Sequence, residues 1–310
     1  MNTGKIRFII GILFLFVSCA HVPAASVNDV YAPQDGKLAV RFLGLHKLGM
    51  KNGESTLIVT PGGTAILVDA GRREDHARLA TMLETAGLKK LDYVIFTHFH
   101  GDHTGDFSRL AAAFAIGRVL MPRFDNYEGP ELQRIMDAIQ LRDIPYGYLA
   151  AGDRIELADG TTIEILHPTE TTDYPDGVTG SQERTVFENQ QSLVFSLRYG
   201  DHAFLFTGDI YKDTEYLLVR QYSDRLASDV LKAPHHGLGT SSSLQFLLAV
   251  RPLLTVVSSG EPTESTLSAL RNRSRTLVTA AYGTILVTGD GHMLDVITEH
   301  EDATRGVYGE

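Results

Sequence analysis

Short apolar and β-branched runs recur along the chain, each ended by a Gly, Pro or Asp turn. The early runs are Ala39-Val40-Arg41-Phe42-Leu43, Thr56-Leu57-Ile58-Val59 and Ile66-Leu67-Val68, with Pro61-Gly62-Gly63 marking the turn between the last two. A helical pattern over 76–88 then leads into Leu91-Asp92-Tyr93-Val94-Ile95-Phe96, which reads as a buried strand. A second set of runs covers 163–166, 193–197 and 203–206, followed by a helix-like segment over 211–222. Val230-Leu231 is a further short run, and Thr240-Ser241-Ser242-Ser243 caps a helix over 244–248. Near the end, Asp290-Gly291 separates runs over 284–287 and 293–298, a hairpin signature. Two strand-rich halves with interspersed helices predict an α/β protein of two packed sheets covered by helices.

Chemistry concentrates where these strands end. Thr97-His98-Phe99-His100-Gly101-Asp102-His103 follows the strand over 91–96 and packs three imidazoles and a carboxylate into six residues. Neutral imidazole and carboxylate are good ligands for a borderline divalent cation. His98 and His100 are two apart, so in extended backbone they point the same way and can grip one ion. Asp102 and His103 follow the turn at Gly101 and can face a second. Thr207-Gly208-Asp209 puts a carboxylate at a strand-to-helix corner, where it reads as a ligand or as a helix cap. Asp290, in the same tripeptide context, reads as a turn residue instead. Ala233-Pro234-His235-His236-Gly237 again sets histidine just after an apolar run.

The set His98, His100, Asp102, His103 matches the HxHxDH signature of the metallo-β-lactamase fold, which the segment resembles closely. The resemblance implies a four-layer αβ/βα sandwich. It implies Asp209 as the bridge between two divalent ions, and His236 as the ligand that completes the second site with Asp102, His103 and Asp209. His235 then lies beside the substrate, and Asp69 and Asp106 stand behind the ligands, Asp106 reading equally as a helix cap.

With Thr64-Ala65-Ile66-Leu67-Val68-Asp69-Ala70-Gly71, Glu188-Asn189-Gln190-Gln191-Ser192-Leu193-Val194 and 231–237, the arrangement is similar to the ComEC-like, competence-type hydrolase branch over most of 37–257. Most of the superfamily carries a third histidine on the first ion. Here 187–192 has none, a lack shared with that branch. The first ion is then held by His98, His100 and Asp209, with Asn189 nearby as a weak ligand or water orienter. A second departure is Ser259-Gly260-Glu261-Pro262, where the branch usually has an Asn- and His-containing stretch; if that stretch contacts substrate, the carry-over of substrate identity is in doubt.

Lys5 and Arg7 precede an apolar run over 8–17, shorter than the roughly twenty residues that span a bilayer. A removable signal over 1–25 is expected. Cys19, the only cysteine, directly follows that run and resembles a lipoprotein acceptor; the competing cleavage follows Val22-Pro23-Ala24. Residues 26–36 read as a linker and 37–310 as one hydrolase domain. Either route exports the protein, as a periplasmic, membrane-anchored or secreted species.

A net charge of −10 argues against a broad basic groove for nucleic acid, although bound ions would add local positive charge. His21, His46, His76, His167, His202, His292 and His300 lack ligand spacing and read as core or surface residues.

The expected function is an exported metal-dependent hydrolase of a small-molecule or phosphodiester substrate. It uses two divalent ions, zinc first and manganese second, that share a hydroxide about 3.5–4 Å-spaced metals can generate at neutral pH. Asp102 and His235 are the catalytic candidates, His235 stabilising charge or protonating a leaving group. The competing readings are a β-lactam or lactone hydrolase, and an exported metal-binding protein without turnover. The intact ligand set weighs against the last.

Overall fold

Each half of the chain builds the body of one sheet by the same recipe, antiparallel strands first and parallel strands after them, and a late hairpin completes the first sheet. The computed structural model describes residues 27–45, 53–169 and 173–300. The expected signal over 1–25, with Cys19, lies outside the described residues, as does His46. Among the described residues the chain opens with a short helix α1 (Val27–Tyr31). Strands β1 (Leu38–Phe42), β2 (Thr56–Val59) and β3 (Ala65–Val68) then pair antiparallel. Helix α2 (His76–Thr85) crosses to β4 (Lys90–Ile95), which pairs parallel to β3. Helices α3 (Gly101–Thr104) and α4 (Phe107–Ala113), strand β5 (Ala115–Met121), helix α5 (Pro130–Arg142) and strand β6 (Tyr146–Tyr148) extend the parallel part.

The second sheet repeats the plan. Strands β7 (Arg154–Glu156) and β8 (Thr162–His167) pair antiparallel, and after helix α6 (Ser181–Gln190) so do β9 (Val194–Tyr199) and β10 (His202–Phe206). Helix α7 (Lys212–Tyr222) leads to β11 (Val230–Lys232), α8 (Leu244–Val250) to β12 (Leu254–Val257), and α9 (Glu264–Arg271) to β13 (Arg275–Val278), all parallel to β10. Helix α10 (Thr279–Tyr282) returns the chain to the first sheet, where the hairpin β14 (Ile285–Gly289) and β15 (Leu294–Thr298) pairs with β1. The orders are β15-β14-β1-β2-β3-β4-β5-β6 and β13-β12-β11-β10-β9-β8-β7.

Three apolar layers hold these elements together. The central one joins the two sheets through Phe42, Ile58, Ile95, Phe195, Phe204, Phe206 and Val256, with Phe195 and Phe206 stacked at 4.7 Å. The outer layers pack α2, α4 and α5 on the first sheet and α7, α8 and α9 on the second. This is the expected four-layer αβ/βα sandwich. The inner strands β3, β11 and β12 are buried on both faces, so their residues are nearly all apolar rather than alternating, with Lys232 and Thr255 the exceptions.

Residues 26–36 differ from expectation. The described part of that segment is no free linker: Val30 and Tyr31 are buried in the first outer layer. The buried Arg41 guanidinium donates to the carbonyls of Val30 and Ala32, and the Tyr31 hydroxyl meets Thr284 Oγ1 at 2.6 Å. An Arg inside a strand needs such partners, and α1 supplies them. Asp290 behaves as a turn residue, its carboxylate accepting from the backbone of His292 and Met293.

Candidate metal centre

The carboxyl ends of β3, β4, β10, β11 and β12 meet along one edge of the sandwich. There the parallel strands stop and loops carry the polar residues, the position where open α/β sheets present their chemistry. Gly208 allows this convergence: its φ is +49°, and a Cβ there would sit 2.6 Å from Ser192 Cβ. His235 and His236 both hold left-handed backbone, φ +45° and +52°, which turns two consecutive imidazoles inward.

Three ligand atoms form a near-equilateral triangle. His103 Nε2, His236 Nε2 and Asp209 Oδ2 are 3.3 Å from one another, and Asp102 Oδ2 lies 3.6 Å from His236 Nε2. Ligands at the usual bond lengths around a tetrahedral ion are separated by about 3.3–3.5 Å. The three 3.3 Å edges therefore fit three ligands of one divalent cation.

The rings are held so that they present lone pairs. His103 Nδ1–H donates to Asp69 Oδ2 at 2.8 Å, and His236 Nδ1–H donates to the Ser258 carbonyl at 2.8 Å, leaving each Nε2 toward the triangle. Asp69, fully buried, also accepts from the Thr97 amide and hydroxyl at 2.8 and 2.7 Å. The Thr97 hydroxyl, its proton committed to Asp69, can accept from His98 Nδ1 at 3.1 Å. His98 Nε2 is then buried with no protein partner, as is Asp209 Oδ1. Unpartnered buried polar atoms are costly unless something outside the chain satisfies them. Asp209 thus offers Oδ2 to the triangle and keeps Oδ1 free.

The charges of the cluster agree with a cation's place. Burial opposes a proton on His236, but the Asp209 and Asp102 carboxylates outweigh it and push its pKa up to about 10. Burial likewise opposes charge on His103, and Asp209 with Asp69 raises it well above the ordinary value. Burial and the neighbouring imidazoles hold His98 well below it. Protons on His103 and His236 answer the same carboxylates that a divalent ion would, so ion uptake should release them.

Of the residues singled out as ligands, substrate neighbours or supports behind the ligands, all come to this edge except Asp106. That side chain caps α4 by accepting from the Arg109 amide at 3.3 Å and lies 3.5 Å from the Arg73 guanidinium. The His98 ring lies tilted against His103 and edge-on to His100, at ring distances of 4.1 and 4.7 Å. His100 turns its Nε2 outward to Glu188 Oε2 at 2.7 Å. Asn189 is buried, donating Nδ2 to the Tyr211 hydroxyl at 3.1 Å and leaving Oδ1 without a partner. His235 stands at the rim, stacked on Tyr211 at 4.8 Å, with Nε2 4.0 Å from Asp209 Oδ2 and Nδ1 on the Thr240 hydroxyl. Burial lowers its pKa. His235 is therefore the neutral imidazole of the pair.

Two residues escaped the sequence reading. Glu54 is buried in the same cluster as His103, Asp209 and His236, close enough to be counted as a ligand in place of Asp102. Lys232 Nζ lies 2.5 Å from Glu54 Oε2 and donates to the Ala233 carbonyl at 2.9 Å. The ammonium supplies Glu54 with a counter-charge, yet Glu54 Oε2, like Asp209 Oδ1 and His98 Nε2, is buried without a hydrogen-bond partner, so Glu54 and Asp102 both stand as candidates for a fourth ligand. The one signal in the sequence was a lysine inside the apolar run 230–233, which demands a buried counter-charge.

Residues 49–260 match the Metallo-beta-lactamase superfamily, and the chain belongs to it. The chain is 30% identical over 228 residues to Competence protein ComA of Neisseria gonorrhoeae, covering 71% of this chain and 28% of that protein. It is 27% identical over 214 residues to ComE operon protein 3 of Bacillus subtilis (strain 168), covering 67% and 26%. Within the superfamily, these relatives put it in the ComEC-like branch. The chain spans only about a quarter of the length of either relative. Among solved structures it is similar in fold to CmlA, a diiron beta-hydroxylase from Streptomyces venezuelae. That match has a TM-score of 0.47 and 12% identity, over 86% of this chain and 55% of that one.

Proposed function

We propose that the chain is a hydrolase dependent on two divalent ions, zinc or manganese, acting on a phosphodiester. The observation that carries the reading is the triangle of His103 Nε2, His236 Nε2 and Asp209 Oδ2, each 3.3 Å apart with its ring protons donated outward. His103, His236, Asp102 and Asp209 Oδ2 would hold one ion; His98, His100 and Asp209 Oδ1 would hold the other. Bound there, the ions supply Lewis acidity and lower the pKa of an attacking water toward neutrality.

The chain's own residues do the rest. Asp69 and Ser258 fix the ring orientations, so the ligands need no rearrangement when substrate arrives. His235, neutral and at the rim, is placed to donate a hydrogen bond from Nε2 to the charge that develops on a leaving oxygen, with the Thr240 hydroxyl at its Nδ1. A cavity of about 510 Å³ opens beside His100 and Gly101, walled by Tyr127, Tyr174 and Arg184. Its walls also include Glu128, Glu131 and Glu188, and Arg184 is paired to Glu128, so bound ions would have to offset its negative charge before a phosphodiester could enter. The phosphodiester preference rests on the likeness to competence proteins and on the absence of a third histidine over 187–192.

The charge of −10 favours a small phosphodiester over long nucleic acid. The basic and apolar start of the chain, with Cys19 behind it, supports export with a lipid anchor. No helix among the described residues is long and apolar enough to cross a membrane. Mass spectrometry of membrane-fraction protein should find Cys19 as a lipid-modified N-terminus; a mature chain beginning at Ala25 would remove the anchor.

The activity test is a panel of bis-p-nitrophenyl phosphate, a lactone and a β-lactam with the ion-loaded protein. Turnover of the phosphodiester well above the others is expected. Preferential opening of the lactone or β-lactam would replace the substrate class and keep the ion site. Stoichiometric metal with no hydrolysis of any of them would favour a binding role.

A further inference from the structure

His100 differs from the other three imidazoles proposed as ligands. His98, His103 and His236 direct Nδ1 toward the protein and Nε2 toward the cluster, whereas His100 has its Nε2 against the Glu188 carboxylate at 2.7 Å. A carboxylate only accepts, so Nε2 must carry the proton and Nδ1 is the one nitrogen left with a lone pair. Glu188 is itself held from behind, because its other oxygen accepts a short hydrogen bond from the Tyr174 hydroxyl. Tyr174 is fixed in turn by Phe124 at 4.9 Å edge-on, by the Arg184 guanidinium 5.2 Å over its ring, and by its amide on Asn126 Oδ1 at 2.9 Å. Glu188 is the last acidic residue of α6, and the unpartnered Asn189 Oδ1 follows it directly. The last turn of α6 thus reaches the region where an imidazole is missing from 187–192.

From this geometry we propose that Glu188, held by Tyr174, is a positioning residue for the first ion: it locks His100 so that the ring presents Nδ1. This rests on the reading of His98 and His100 as ligands. It explains how a site with one imidazole fewer keeps its ligands aligned, since orientation by a fixed carboxylate offsets part of the lost coordination. Tyr174, Glu188 and His100 also line one cavity, so whatever binds there touches the residues that set the ring.

The test compares Glu188→Leu, Glu188→Gln and Tyr174→Phe in the full chain, with zinc and manganese affinities measured by chelator competition. Glu188→Leu should weaken one of the two ions about 10–100-fold and leave the other within about threefold. Glu188→Gln, whose carbonyl oxygen still accepts from Nε2, should recover most of that loss, and Tyr174→Phe should fall between. A merely structural role would weaken both ions alike and would show no recovery by Gln. A second readout needs no ion: proton NMR of the ion-free protein should show the hydrogen-bonded His100 Nε2–H far downfield in the wild type and lose it in Glu188→Leu. Wild-type affinities for both ions in Glu188→Leu would overturn the proposal and leave the two-ion reading intact. A wild type that binds no ion would instead overturn that reading, and the positioning role with it.

Discussion

The Lys232 ammonium lies 2.5 Å from the Glu54 carboxylate, with both side chains almost wholly buried beneath His236. Burial raises the Glu54 carboxyl and the ammonium opposes it. Lys232 also reaches the Ala233 and Gly208 carbonyls at 2.9 and 3.5 Å, so one ammonium joins the loop of Asp209 to the loop of His235 and His236. Replacing Lys232 with Met keeps volume but strands Glu54. The expected cost is about 3–5 kcal/mol of stability. Urea unfolding of the two proteins side by side measures it, and a loss under about 1 kcal/mol would show that the pair is not a structural clamp.

Asp69 acts at a distance from any ion. It accepts from His103 and from Thr97, and Thr97 in turn faces His98, so one carboxylate orients a ring of each proposed site. Asp69→Ala should therefore weaken both ions, each by about 10–100-fold. Titration calorimetry with zinc distinguishes this from a change confined to one ion.

His235 and His236 are adjacent in sequence and separated in role. His236→Ala should lower metal content, because its Nε2 is one corner of the triangle. His235→Ala should keep the metal and reduce turnover by about 10²–10⁴-fold. Elemental analysis beside steady-state kinetics on both variants tests the division; metal loss in His235→Ala alone would reverse the two assignments.

His167, at the end of β8, gives a pH dependence separate from the metal edge. Burial lowers its pKa to about 4, and its ring donates to the Gln190 carbonyl at 2.8 Å. The folded state thus resists protonation that the unfolded chain accepts near pH 6.5. The stability from the neutral ring is fully present above about pH 6.5 and is lost as pH falls toward 4. The loss approaches 3 kcal/mol, at about 1.4 kcal/mol per pH unit. Denaturation midpoints at pH 7, 5.5 and 4.5 should converge for wild type and His167→Gln at the acid end.

The layers were legible because each buried parallel strand is a short apolar run with a turn behind it, as in 64–68, 91–96 and 203–206. The histidine and aspartate positions were legible for a related reason, since each follows such a run directly. Glu54 was not, because a lone glutamate before β2 has no ligand spacing and acquires meaning only when Lys232 is brought to it from β11. Glu188 was hidden in the same way, its partners Tyr174 and His100 lying 14 and 88 residues away. The packing of α1 depended on the unusual Arg41 inside β1, a partner that a local reading of 26–36 does not include.

The central claim is that Asp209 joins two ion sites through its two carboxylate oxygens, Oδ2 in the triangle and Oδ1 free on the other side. Elemental analysis of the purified chain, reconstituted with zinc or manganese and freed of excess, tests it most directly. About two ions per wild-type chain and fewer than one in Asp209→Ala are predicted. An unmetallated wild type, or an Asp209→Ala variant that keeps both ions, would contradict it.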